Sequence, residues 1–207
     1  MKVFETNFRA VYKKICLLSD SELLDKINLR EIFDYPPEEK LDGYLTYGYI
    51  DEKTGFNFKI LAGALLDGDK IKVFPCTYKC GKSIRRAEIE DAEIKILPEN
   101  FSAAFRDKIK VLDDTFAFDA AKENTRLIKT IDNLRHPNFP DDVAVYFHGE
   151  NFEPEMAWVR CREAKENLIA GELLHELQQD FGVHTGDKII FGVADFNGEI
   201  ICARIDL

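Results

Sequence analysis

The chain has no apolar run long enough to cross a bilayer, no surplus of positive charge and only one tryptophan. A membrane-spanning helix needs about 20 consecutive apolar residues, so no membrane partner is expected. Met1-Lys2-Val3-Phe4-Glu5 lacks the apolar core of a signal peptide, and a cytoplasmic location is the expectation. Lys and Arg number 28 against 38 Asp and Glu, a formal charge of −10. Broad phosphate recognition needs clustered cations, so nucleic acid is not expected as a partner, whereas a basic protein is compatible. The five cysteines are odd in number and scattered through apolar segments, as reduced buried thiols would be.

Catalytic motifs are missing too. Gly81-Lys82-Ser83 ends like a phosphate-binding loop, but Cys76 stands where the first glycine is required. No Gly-x-Ser-x-Gly elbow occurs. His175-Glu176-Leu177-Gln178-Gln179 approaches the zinc-protease pattern, yet Gln179 occupies the place of the second imidazole. Cys76 and Cys80 supply two thiols without a second closely spaced pair, so neither metal nor cofactor is expected. Asp113-Asp114 and Asp141-Asp142 read as turn and capping residues.

What is present is a strand-rich pattern with 45% hydrophobic content, sufficient for a normal core. Phe4, Phe8, Val11, Tyr12, Ile15 and Leu18 recur at helical intervals and predict an amphipathic helix. Ser19-Asp20-Ser21-Glu22 predicts a capped second helix carrying Leu23, Leu24 and Ile27. Strands are expected over 44–50, 56–61, 71–75, 92–97, 109–112 and 115–118, then a helix capped by Asp119 and ending at His136-Pro137. Further strands are expected over 143–147, 156–161, 168–170 and 188–193, with a hairpin at Asn197-Gly198. Leu173, Leu174, Leu177 and Phe181 predict a short helix over 172–181. The fold expected is α+β, with two antiparallel strand-rich lobes as a curled sheet or partly open barrel. The boundary is placed between residues 1–118 and 119–207, which could also share one domain.

Leu61-Ala62-Gly63 with Gly68-Asp69-Lys70-Ile71 resembles Ile169-Ala170-Gly171 with Gly186-Asp187-Lys188-Ile189. If this is a duplication, the later copy carries ten extra residues holding His175, Glu176, Gln179 and His184, and inserted loops are where binding groups accumulate. Trp158 could anchor an interface but reads first as core. Arg160 and Arg162 share a strand face and could hold an anion or pair with neighbouring carboxylates. The binding candidates are therefore Trp158, Arg160, His175, Glu176, Gln179 and His184, with no catalytic residue among them.

Trp158-Val159, Gly171-Glu172-Leu173-Leu174 and Gly186-Asp187-Lys188-Ile189-Ile190-Phe191 resemble a family of small bacterial domains of unknown function, related to proposed immunity proteins of toxin systems. The resemblance covers the last sixty or so residues. His175 and Leu177 depart from that family's Asn and Pro. It implies a non-catalytic bacterial protein-binding domain, an inhibitor of a basic toxin or other basic partner. The alternative is an enzyme or small-ligand-binding domain with a site near residues 175–184. The sequence carries no signal of an oligomeric state.

Overall fold

A computed structural model of the chain describes residues 1–19, 33, 40–68, 70–76 and 81–205. The capped helix expected to carry Leu23, Leu24 and Ile27 lies outside them, as does Cys80. The fold is α+β, and the chain divides into two compact units, Met1–Phe118 and Asp119–Leu207.

Unit 1 is built on an antiparallel sheet. Strands β1 (Ile15–Ser19), β2 (Gly43–Asp51), β3 (Gly55–Asp67), β4 (Lys70–Pro75), β5 (Ser83–Arg85) and β6 (Glu93–Ile96) are ordered β4-β3-β2-β1-β6, with β5 also on β3. Tyr44 and Ile50 of β2 join a core with Phe8, Leu18, Phe56 and Phe58 on one sheet face. Leu45, Tyr47 and Tyr49 join Ile15, Leu61, Phe105 and Leu112 on the other. A strand buried on both faces needs a nearly continuous apolar sequence, which Tyr-Leu-Thr-Tyr-Gly-Tyr-Ile provides. Gly48 makes the tightest contact, because a Cβ there would lie 2.2 Å from the Val11 carbonyl oxygen.

Two expectations in this unit are overturned. The N-terminal helix is only α1 (Phe8–Val11); Lys13 takes φ +56° and the chain enters β1. Ile15 to Leu18 sit between β2 and β6 and bury alternate side chains in both cores, so tertiary pairing overrides the helical period. The strands expected at 109–112 and 115–118 are one helix, α2 (Arg106–Phe116). Phe105, Ile109, Leu112 and Phe116 lie on its packed side, and Asp113 accepts a 2.9 Å hydrogen bond from the Tyr47 hydroxyl.

Unit 2 is a closed five-stranded barrel, β10-β11-β7-β8-β9. Its strands are β7 (Asp142–Gly149), β8 (Phe152–Lys165), β9 (Leu168–Leu173), β10 (Lys188–Phe196) and β11 (Glu199–Arg204). Four successive reversals leave the first and last strands pointing the same way, so the closing β11–β7 pair is parallel. Val143, Val145, Phe147, Val159, Cys161, Ile169, Leu173, Ile189, Phe191 and Cys202 fill the interior. Gly171 lies within β9 and does not break it; a Cβ there would stand 2.5 Å from Val159 Cγ1 and 2.6 Å from the Arg160 carbonyl oxygen. Asn197 and Gly198, at φ +55° and +85°, make the expected hairpin tip.

Helix α3 (Ala120–Arg126) starts as expected, with the Asp119 carboxylate accepting from the Ala121 and Lys122 amides. It stops earlier than expected and gives way to a 3-10 turn over Lys129–Leu134. The Arg135 guanidinium donates 2.6 Å hydrogen bonds to the Thr125 and Pro140 carbonyl oxygens, satisfying the break with a side chain.

The helix expected over 172–181 is absent. Leu173 completes β9, and residues 174–187 form an irregular loop. Leu177, Phe181 and Val183 pack on the barrel core, so the four-residue spacing of its apolar side chains reflects attachment to the barrel. The two similar segments both form antiparallel pairs, β3–β4 and β9–β10. Gly63 faces Phe74, whereas its counterpart Gly171 faces Ile189, the counterpart of Ile71, so their registers differ by three residues.

Candidate functional site

The candidate residues all lie in unit 2, but the fold distributes them over separate clusters. Trp158 is on the outer barrel face, not in the core as expected. Its inward neighbours Ala157 and Val159 are fully buried, while the half-buried indole meets the edge of the His136 ring at 5.1 Å. His136 Nδ1 accepts from the Asn138 and Phe139 amides, both at 3.2 Å, so this imidazole also organises the turn before β7.

Arg160 is held in a bidentate pair by Asp142, at 2.7 and 2.9 Å. The pairing is dictated by register, because Asp142 lies opposite Arg160, Arg160 opposite Glu172, and Glu172 opposite Lys188. These four side chains form a row of alternating charge across four strands. Arg162 also reaches Glu172 at 2.6 Å, and Lys188 reaches Glu163 at 3.1 Å. Beneath this face, buried Arg126 makes a bidentate pair with buried Asp141 at 2.8 and 2.6 Å and also bonds Glu123. The two aspartates read as turn residues are thus the partners of two arginines on different elements.

His175 is exposed, whereas Glu176, Gln179 and His184 hold the 174–187 loop in shape. Glu176 accepts from His184 Nδ1 at 2.6 Å and from the Thr185 amide at 3.1 Å. The shared hydrogen bond holds the Glu176 carboxyl below its usual range and raises the His184 imidazole above its own. Gln179 uses its side-chain amide like a strand backbone, accepting from the Glu153 amide at 3.1 Å and donating to the Glu153 carbonyl at 2.9 Å. Glu155 accepts from the Gln178 and Gln179 amides. The loop therefore covers the edge of β8 where that strand extends beyond β9.

A second row lies four residues along β7, β8, β9 and β10, roughly 13 Å from the charged one at the usual strand rise. Met156 is opposite Tyr146, Tyr146 opposite Ala203, Ala203 opposite Gly192, and Gly192 opposite Leu168. Met156, Tyr146 and Leu168 are 43%, 37% and 38% exposed; on the hairpin beyond them Phe196, on the same face, is 63% exposed, and Val193 and Ile200, on the other face, are 41% and 48% exposed. Neither row was anticipated as a unit. Periodicity on each strand gives the inward face, but rows across strands depend on register and barrel stagger.

Charge is divided unevenly along the chain. Residues 1–118 hold 19 Lys and Arg against 21 Asp and Glu, a net of −2, and residues 119–207 hold 9 against 17, a net of −8. Among the described residues of unit 2, nine carboxylates are exposed: Glu150, Glu153, Glu163, Glu166, Glu176, Asp180, Asp187, Asp195 and Glu199. Its exposed cations are Lys129, Lys165 and Lys188, while Arg126 and Arg135 are buried. The fold hides arginine and displays carboxylate.

No family model matches the chain, and no curated protein or solved structure matches it. The barrel interior offers no reactive thiol, since burial pushes Cys161 and Cys202 up to about 12. No group of three or more His, Cys, Asp or Glu suited to holding a metal ion occurs among the described residues. No helix among them is long and apolar enough to cross a membrane.

Proposed function

We propose that residues 119–207 form a non-catalytic protein-binding module for a basic protein, in its sharpest form an inhibitor of a basic toxin. The observation that carries this reading is the exposure of Met156, Tyr146 and Leu168 in a row whose other members, Ala203 and Gly192, are half-buried and buried, on a unit with nine exposed carboxylates and three exposed lysines. Exposed aromatic and sulfur-containing side chains in an acidic setting match the usual anatomy of an interface, with an apolar centre and a charged rim. The acidic field would speed encounter with a cationic surface, and the apolar row would slow departure. Arg160, Glu176 and His184 are engaged with partners inside the unit, so they contribute shape more than contact.

The test is affinity capture with the full chain from bacterial extract at low and moderate salt, alongside Tyr146→Ser/Met156→Ser. A stoichiometric basic partner that is held by the parent chain and released by the double variant supports the module. Equal capture by both chains, or stoichiometric capture of an acidic protein, contradicts it.

A further inference from the structure

Two strand extensions project past the barrel pairing, and the chain treats them differently. The first half of β8 runs beyond β9, and its edge is closed by the 174–187 loop. The Leu174 amide donates to the Trp158 carbonyl at 3.0 Å, and the Gln179 amide group takes both backbone groups of Glu153. The second extension is the end of the β10–β11 hairpin. Pairing of β10 with β9 stops at Gly192, and pairing of β11 with β7 involves only Cys202 and Ala203. Among the described residues, residues 193–201 therefore have strand partners only within their own two-stranded ribbon.

That ribbon is not designed as an inert edge. Proteins blunt exposed edges with lysine, proline or covering loops, yet between Lys188 and Arg204 there is neither a basic residue nor a proline. Val193, Phe196 and Ile200 are instead exposed there, and Asp195 and Glu199 are its only charges. The Ile205 amide donates to the Ile190 carbonyl, which fixes the alternation of the antiparallel ladder. The even-numbered residues of β10 direct their backbone groups towards β11, and Val193 and Asp195 direct theirs to the opposite edge.

Resting on the protein-binding reading above, we infer that the β10 edge at Val193–Asp195 is where the partner docks, by adding an extended Lys- or Arg-bearing segment as a further strand. Backbone pairing with Val193 and Asp195 would set the register. Val193 and Ile200 share one face of the ribbon with Asp195, so they receive the segment's alternate apolar side chains while the Asp195 carboxylate selects a cationic one, and Phe196 and Glu199 offer a second apolar and acidic pair on the other face.

The experiment uses the 15N-labelled full chain and three synthetic peptides: Lys-Val-Lys-Val-Lys-Val with blocked ends, the same peptide with Glu for Lys, and the lysine peptide N-methylated at alternate residues. Shift changes and amide exchange are followed along the chain. The expected result is that the lysine peptide slows exchange at Val193 and Asp195 at least tenfold, and the glutamate and N-methylated peptides do not. Val193→Pro should abolish the effect, and the N-methylated peptide makes the same test on an unaltered chain. Equal protection by the N-methylated peptide overturns strand addition. Perturbation confined to Tyr146 and Met156 overturns the ribbon as the docking edge but keeps the protein-binding reading. No perturbation by any peptide overturns the inference, and capture by the full chain decides that reading separately.

Discussion

The two units solve the same problem, burying the apolar faces of short antiparallel strands, in opposite ways. Unit 1 leaves its sheet open and covers both faces, with α2 on one and α1 with the N-terminal segment on the other. Unit 2 rolls its sheet closed, so one face becomes core and the other remains outside. A covered sheet spends its side chains on packing; a rolled one retains a patterned exterior. The charge follows the same division, nearly balanced in unit 1 and strongly negative in unit 2. An outer face carrying a neutralised charged row and the exposed apolar side chains Tyr146, Met156 and Leu168 is where selection on a surface can act without disturbing the core.

The comparison breaks first if the buried ion pair is not structural. Arg126→Met leaves Asp141 buried without its bidentate partner and should destabilise unit 2 by about 3–5 kcal/mol, with Arg126→Met/Asp141→Leu recovering much of the loss. Denaturant unfolding of both variants measures this. Separate cores should also respond separately. Phe191→Ala should cost unit 2, and Phe58→Ala unit 1, about 3–5 kcal/mol each, and calorimetry should show one transition falling while the other holds.

Close packing of the glycines comes next. Gly171→Ala should cost roughly 1–3 kcal/mol, since its new methyl group must displace the Val159 side chain or the β8 backbone. A thermal melt unchanged by this substitution would contradict the tight β8–β9 contact. The smallest effect concerns the 174–187 loop. The His184 contribution is present below pH 6.5, the ordinary imidazole value, and is lost as pH rises through its raised folded pKa. The Glu176 contribution is present above pH 4.5, the ordinary carboxyl value, and is lost as pH falls through its lowered folded pKa. Loop protection should therefore peak between these values, and Glu176→Gln should return His184 towards 6.5 in an NMR titration.

Much of this architecture is legible in the sequence. The β2 and β3 runs, the Asp119 cap and the Asn197-Gly198 tip are local patterns with local causes. Two failures arise from one period having two meanings. Phe8 to Leu18 is helically spaced, but its second half is a central strand; Leu173 to Phe181 is helically spaced, but its apolar residues are attachment points for a loop. The candidate residues all fall in unit 2, while the contacts each one makes depended on pairing across the chain. Arg160 could be recognised as an arginine on a strand face, but its occupation by Asp142 required the β7–β8 register. Tyr146, Met156 and Phe196 carried no local signal, because an exposed apolar residue on a strand is unremarkable until its neighbours across the sheet are known.

The most direct measurement is hydrogen exchange of the full chain with and without the captured basic partner. The account predicts added protection at Tyr146 and along residues 193–200, with the Asp142–Arg160–Glu172–Lys188 row and unit 1 unchanged. Protection centred on that charged row, or on residues 1–118, would contradict it.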